Sequence, residues 1–141
     1  METINTKRLK IRTTVKAPIE KVWKYWSEPE HITQWCQASD DWHAPAAEND
    51  LRDGGKFKTR MEAKDGSFGF DFEGVYDKVI PHSLIEYTMA DGRKSISVFK
   101  SEGDVTHIEG EFDPESSNPL EMQQAGWQAI LDSFKKYTEN H

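Results

Sequence analysis

The chain has 141 residues, a length that suits one domain with enough apolar surface to bury a core. Its formal charge of −7 opposes binding to nucleic acid or to an anionic membrane, because both carry negative charge of their own. The first residues lack the apolar run of a signal peptide, no stretch is long enough to span a bilayer, and the single cysteine, Cys36, has no partner for an internal disulfide, so we expect a cytoplasmic protein.

The first third of the chain predicts one strand and two short helices. Residues from Lys7 to Ala17 alternate between apolar and polar side chains, which is typical of a half-buried strand. A helix should begin after Pro18 and end before Pro29, since four apolar residues there have the i, i+3, i+4, i+7 spacing: Ile19, Val22, Trp23 and Trp26. A second short helix should follow, with three residues on its apolar side: Ile32, Trp35 and Cys36.

The middle of the chain predicts a series of antiparallel strands. Residues 37–53 are polar and irregular, and we expect a loop there that could hold a short edge strand. After Gly54 and Gly55, alternating runs are separated by turn sequences such as Asp65-Gly66 and Asp91-Gly92, which favour hairpins. One of these runs contains Gly74, a candidate position for a β-bulge. The apolar or aromatic positions of the runs include Phe57, Met61, Phe68, Phe70, Phe72, Ile85, Tyr87, Met89, Ile96 and Val98.

The last predicted element is a long helix from Asn118 to Tyr137, with Asn118 as its N-cap and Pro119 at the first helical position. Its apolar stripe comprises Leu120, Trp127, Ile130, Leu131, Phe134 and Tyr137. Gln123 interrupts this stripe, so its amide must either bond a backbone group of the sheet or a loop, or make a polar contact inside a ligand pocket.

We predict contrasting effects of substitution at two positions of this helix. Trp127 lies at the centre of the stripe, where we expect either full burial in the core or, if it lines an open pocket, a ring that partly faces ligand or water. Gln128 lies about 100° round the helix and should tolerate substitution. The whole order of elements is β-α-α-β(5-6)-α, an α+β pattern in which an antiparallel sheet buries the terminal helix.

Several segments together resemble one known family. They are AP..KVW at 17–23, DLRDGGKF at 50–57, FEGVY at 72–76, and FDPE at 112–115 followed by QQAGWQAILDSFKKY. The chain is similar, over nearly its whole length, to the activator-of-Hsp90-ATPase-homologue-like branch of the SRPBCC, or START-like (Bet v 1-like), helix-grip superfamily. The resemblance implies one domain over residues 1–141, a curved sheet around the terminal helix, and a pocket for apolar ligands between them.

The residues with ligand or catalytic chemistry do not form a recognisable motif. His31, Cys36 and His43 lack the paired short spacing of a zinc site. The acidic segment from Asp40 to Asp53 lacks the regular spacing and central glycine of a calcium loop. We therefore predict no metal, no cofactor and no catalytic residue.

The sequence leaves three functions open, of which binding of a small apolar or amphipathic ligand leads. Its predicted site consists of inward positions on the sheet and helices: Trp35, Phe57, Phe70, Phe72, Tyr87, Gln123, Trp127 and Phe134. The resemblance also implies docking on the Hsp90 chaperone, although only six residues precede the first predicted strand and we expect little ATPase stimulation. An enzyme would require a group such as His107 or Glu73 to face the pocket. We expect a monomer or a weak homodimer.

Overall fold

The computed structural model describes residues 8–141, which form three helices and one seven-stranded sheet. In chain order the elements are β1 (Leu9–Val15), α1 (Ile19–Ser27), α2 (Pro29–Trp35), β2 (Trp42–Asn49), β3 (Lys56–Ala63), β4 (Gly69–Ile80), β5 (Leu84–Met89), β6 (Lys94–Glu102), β7 (Val105–Phe112) and α3 (Leu120–Asn140). All neighbouring strands are antiparallel, in the order β1-β7-β6-β5-β4-β3-β2. The edges of the sheet are therefore β1 and β2.

This architecture confirms the predicted α+β helix-grip fold, with six strands following the two short helices. The sheet curls into a half-barrel, and α3 packs against it. The predicted start of the first strand at Lys7 lies outside the described residues. None of the three helices is both long and apolar enough to cross a membrane.

The segment 37–53, expected to be mainly a loop, contains the eight-residue edge strand β2. This strand pairs with β3 from Trp42 to Asn49, and its register shifts between His43 and Ala46. Pro45 lies at that shift, where a residue without an amide hydrogen interrupts no ladder. An edge strand needs a partner on one side only, so the segment forms a strand despite its irregular pattern.

The six residues that follow β2 fold back onto β4. Gly54 donates its amide hydrogen to the Tyr76 carbonyl oxygen at 2.8 Å, and the Gly55 carbonyl oxygen accepts from the Tyr76 amide at 2.9 Å. The Asp53 carboxylate accepts from the amide of Val79 at 2.7 Å. The irregularity in β4 therefore falls between Tyr76 and Lys78, and the prediction of a bulge at Gly74 is wrong.

The β5–β6 hairpin turns through three residues, 90–92. The amide of Gly92 donates to the Met89 carbonyl oxygen at 2.9 Å, and the amide of Met89 donates to the Arg93 carbonyl oxygen at 2.7 Å. Gly92 has a φ of 92°, a left-handed conformation that glycine adopts without steric cost. The loop is thus one residue longer than a two-residue Asp91-Gly92 turn.

That extra residue decides which side of β6 faces the interior. Tyr87 pairs with Ser95, whereas a two-residue turn would have placed it opposite Ile96. A slip of one residue moves every side chain of a strand to the other face. Ser95 and Ser97 are consequently buried on the concave face, and Ile96 is only partly buried on the outer face.

The start of α3 differs from the prediction by one residue. The helix begins at Leu120, Pro119 occupies the N-cap position, and no side chain caps the helix. Asn118 instead donates its side-chain amide to the Glu115 carboxylate at 3.1 Å. Leu120 is 50% exposed and does not belong to the buried stripe.

Polar side chains of α3 hold the helix against the edge strand β1. Gln124 donates to the Lys10 carbonyl oxygen at 2.7 Å, and Gln128 both donates to the Arg12 carbonyl oxygen and accepts from the Arg12 amide. An edge strand otherwise leaves such backbone groups unpaired. These contacts argue against the expectation that Gln128 tolerates substitution, since its loss would leave both groups of Arg12 without this partner.

Candidate functional site: a cavity between the sheet and the terminal helix

The interior of the half-barrel is incompletely filled. A cavity of about 310 Å³ lies between the concave face of the sheet and the three helices. Its walls are mostly aromatic and aliphatic, and they include residues of all three helices and of all seven strands. The apolar part of the lining comprises Ile11, Trp26, Ile32, Trp35, Phe57, Met61, Phe70, Phe72, Phe112, Trp127, Ile130 and Leu131.

Six of the eight residues predicted for the ligand site border this cavity: Trp35, Phe57, Phe70, Phe72, Tyr87 and Trp127. The other two lie outside its lining. Gln123 is buried, but its side chain bonds the backbone of Glu115 and Asn118 in the preceding loop, as the structural alternative proposed. Phe134 is fully buried between Trp26 and Trp35, with both pairs of ring centroids 4.9 Å apart.

Trp127 forms part of the cavity wall, which agrees with the second of the two alternatives, a ring that lines an open pocket. Its ring stacks on Phe112 at 3.9 Å between centroids and 7° between planes, and it meets the edge of Phe72 at 6.1 Å. The indole is only partly buried and borders the cavity. The Trp127 indole is thus held in one orientation and presents apolar surface to the cavity.

A chain of hydrogen bonds joins the sheet to the helices at the β2 end of the cavity. Tyr76 donates its hydroxyl hydrogen to the Asn49 side-chain oxygen at 2.5 Å, and Asn49 donates its amide to the Ser27 carbonyl oxygen at 2.6 Å. Ser27 is the last residue of α1. These bonds satisfy polar groups that would otherwise be costly to bury.

Burial keeps the Cys36 thiol and the Tyr87 phenol of the cavity uncharged. It raises the pKa of the Cys36 thiol from 9.0 to about 12. Desolvation likewise raises the pKa of Tyr87 from 10.0 to about 12, and the side chain of Ser95 offsets part of that rise. Near neutral pH the thiol and the phenol are therefore protonated, and both act as weakly polar wall groups or hydrogen-bond donors instead of nucleophiles.

The raised pKa of Tyr87 predicts a loss of stability at alkaline pH. Between about pH 10 and 12 the unfolded chain ionises this phenol and the folded chain does not, so the free energy of unfolding falls as the pH rises. Tyr87→Phe should make that fall shallower by up to about 1.4 kcal/mol per pH unit. Urea unfolding of both proteins at pH 8, 10 and 11 checks this. Parallel pH profiles would show that Tyr87 ionises equally well in the folded chain.

The residues considered for catalysis lie away from the cavity. His107 bonds the Thr14 hydroxyl at 3.0 Å and lies 2.7 Å from the Glu102 carboxylate on an exposed part of the sheet. Glu73 is exposed, and it pairs with Lys58 across β3 and β4. An acid–base mechanism in the cavity would therefore require groups other than these two.

The three residues considered as metal ligands have separate structural roles. Cys36 is buried, and His43 lies 3.7 Å from the Glu62 carboxylate. His31 is stacked on Tyr25 at 4.0 Å between ring centroids, and its Nδ1 lies 2.7 Å from the Tyr137 hydroxyl. That packing explains why the ring is sheltered from solvent.

The predicted site did not include most polar groups of the cavity. Those for which the sequence predicted no inward position are Asn49, Tyr76, Arg93, Ser95 and Ser97. Ser95, Ser97 and Arg93 can be placed on the inner face only if the β5–β6 loop has three residues, since a two-residue loop reverses the faces of β6. The inward position of Asn49 can be predicted only if residues 42–49 are a strand.

Comparison with known proteins identifies the family. Residues 16–139 match the family model described as "Activator of Hsp90 ATPase homolog 1-like protein". The chain belongs to this family. No curated protein matches significantly.

Solved structures of other members of the fold agree with this assignment. The chain is 62% identical to a protein from Cytophaga hutchinsonii whose solution structure has a TM-score of 0.81, with 94% of this chain and 92% of that chain covered. An AHSA1-like protein from Aeromonas hydrophila is 42% identical, with a TM-score of 0.85 and coverage of 94% and 93%. A protein from Chromobacterium violaceum is 20% identical at a TM-score of 0.84, which shows the shared fold alone.

Proposed function

We propose that this AHSA1-like domain binds a small apolar or amphipathic molecule in the cavity between the sheet and α3. The observation that carries the proposal is the cavity itself, about 310 Å³ of space behind aromatic walls. Well-packed interiors contain few voids larger than a water molecule. The volume falls at the lower end of the range for small-molecule sites, roughly 300–1,000 Å³.

A bound molecule would add contacts to the aromatic wall. Apolar side chains that border a space no protein atom fills can gain dispersion contacts from an apolar ligand. The rings of Phe72 and Trp127 are already fixed by their aromatic neighbours, so binding would require little ordering of side chains. An apolar ligand would therefore gain contacts at small entropic cost.

Filling the cavity from within the chain tests this proposal. Ser97→Leu adds bulk to the cavity floor, and Ser101→Leu makes the same change on the same strand at an exposed position outside the lining. We expect the neutral fluorescent probe N-phenyl-1-naphthylamine to bind the unmodified protein. Its affinity should fall about tenfold or more in Ser97→Leu, because the probe and the new side chain compete for space, and stay unchanged in Ser101→Leu.

Two results would contradict the proposal. One is the absence of any fluorescence enhancement with the unmodified protein. The other is equal affinity in all three proteins, which would mean that the probe binds elsewhere. Circular dichroism of both variants establishes that they are folded.

A further inference from the structure

A row of hydroxyl groups lies on the part of the cavity floor that β5 and β6 form. Tyr87 and Ser95 are directly paired across β5 and β6, and Ser97 follows on the same face. Ser95 is 3% exposed and Ser97 is 9% exposed. Burying a hydroxyl costs free energy unless it is hydrogen-bonded, so a floor for a purely apolar ligand would favour apolar residues. Tyr87 and Ser95 hydrogen-bond each other, which uses one of their two hydroxyl hydrogens. The remaining hydrogen and the Ser97 hydroxyl can bond a polar group of a ligand.

Arg93 lies at the end of this row. It precedes Ser95 by two residues, borders the cavity, and has a side chain that is 25% exposed. Glu48 and Glu111 also border the cavity, but strand alternation directs their side chains to the outer face of the sheet. Among the charged residues that border the cavity within residues 8–141, Arg93 is thus the one directed inward.

The guanidinium of Arg93 is held in place by its neighbours. Its Nε donates to the Asp91 carboxylate at 2.7 Å, and Nη1 donates to the Asp113 carbonyl oxygen at 3.3 Å. A guanidinium carries five N–H donors. Within residues 8–141 these two bonds use two of them, so three remain for a ligand. Asp91 also compensates part of the positive charge. The site therefore suits one negative charge better than two.

From this arrangement we infer that the ligand is a small amphipathic carboxylate. The carboxylate lies beside Arg93 and the hydroxyls of Tyr87 and Ser95, and the apolar part lies against Phe72 and Trp127. A planar carboxylate can accept two parallel N–H bonds from a guanidinium. A phosphate monoester carries nearly two negative charges, and Arg93, whose charge Asp91 partly compensates, would neutralise only part of them. A carboxylate therefore suits the site better than a phosphate monoester. The inference rests on the proposed function, which requires only an apolar cavity.

The test compares two probes that differ in the head group alone, decanoate and 1-decanol, in competition with N-phenyl-1-naphthylamine. We expect decanoate to bind the unmodified protein at least as tightly as the alcohol, although a carboxylate is costlier to desolvate. Arg93→Gln should weaken decanoate about tenfold and leave decanol within twofold. Arg52→Gln is the matched control, because Arg52 pairs with Asp50 at an exposed position outside the cavity lining.

The outcomes separate this inference from the proposed function. If both probes bind and Arg93→Gln affects them equally or not at all, the carboxylate inference fails and the apolar cavity stands. If neither decanoate, decanol nor the fluorescent probe binds the unmodified protein, the proposed function fails as well. Binding of the fluorescent probe to Arg93→Gln at its usual affinity shows that the variant is folded. Selective loss of decanoate supports the inference.

Discussion

Replacing Phe134 by alanine should lower the free energy of unfolding by about 3–5 kcal/mol. Phe134 is 0% exposed, and its ring joins α3 to the indoles of Trp26 on α1 and Trp35 on α2. The variant loses the transfer free energy of the ring and leaves a hole that the neighbouring rings cannot fill completely. Denaturant midpoints measured in urea give the loss.

Two further variants of the same helix make this measurement specific. Lys136→Ala, at an exposed position, should change stability by less than about 0.5 kcal/mol. Trp127→Ala should cost less than Phe134→Ala, because part of the Trp127 surface already faces the cavity. Equal, small losses in all three variants would mean that α3 does not pack through this face.

Gly55→Ala should have the second largest effect, a loss of about 3 kcal/mol. A Cβ atom at this position would lie 2.0 Å from the carbonyl oxygen of Asp50, a backbone atom that cannot rotate away. The loop would have to deform, and with it the hydrogen bond from the Tyr76 amide to the Gly55 carbonyl oxygen. Faster hydrogen exchange at Tyr76 should therefore accompany the lower denaturant midpoint.

Gly126→Ala provides the control for a glycine replacement. Gly126 lies within α3, and an added Cβ atom would meet nothing within 4 Å. Alanine should there stabilise the protein by about 1 kcal/mol, because it has the higher helix propensity. If Gly55→Ala were as stable as the unmodified protein, the docking of the 50–55 loop on β4 would not contribute to stability.

The measurements on Phe134 and on the cavity concern different parts of one helix. The C-terminal half of α3 is fixed among the rings of α1 and α2, whereas Trp127, Ile130 and Leu131 border the cavity. Stability and ligand binding should therefore respond to different substitutions along the same helix.

Much of the fold was predictable because its signals are local. The apolar spacing around Trp23 predicts α1, strict alternation predicts β1 and β3, and the long stripe through Phe134 predicts α3. These patterns arise from the periods of single elements, 3.6 residues in a helix and two in a strand. The α+β class and the order of elements follow from them alone.

Which polar side chains line the cavity could not be predicted, because this depends on how the strands and helices pair with one another. Gly92 ends a three-residue loop, although the dipeptide Asp91-Gly92 is equally compatible with a two-residue turn. The additional residue places Ser95 and Arg93 on the inner face of the sheet instead of Ile96. The hydrogen bonds of Gln128 to Arg12 could not be predicted either, because they require that the edge strand β1 lies beside α3.

The sequence by itself therefore determined every element except the edge strand β2, together with the order of those elements and most of the aromatic wall, since each is encoded by the period of a single segment. Only the tertiary structure decided that Trp127 and Tyr87 border an unfilled volume, and that hydroxyl groups and Arg93 lie on its floor. The physical reason is that a strand presents either face to the core with nearly the same local energy, so the choice is made by pairing and packing across the whole sheet.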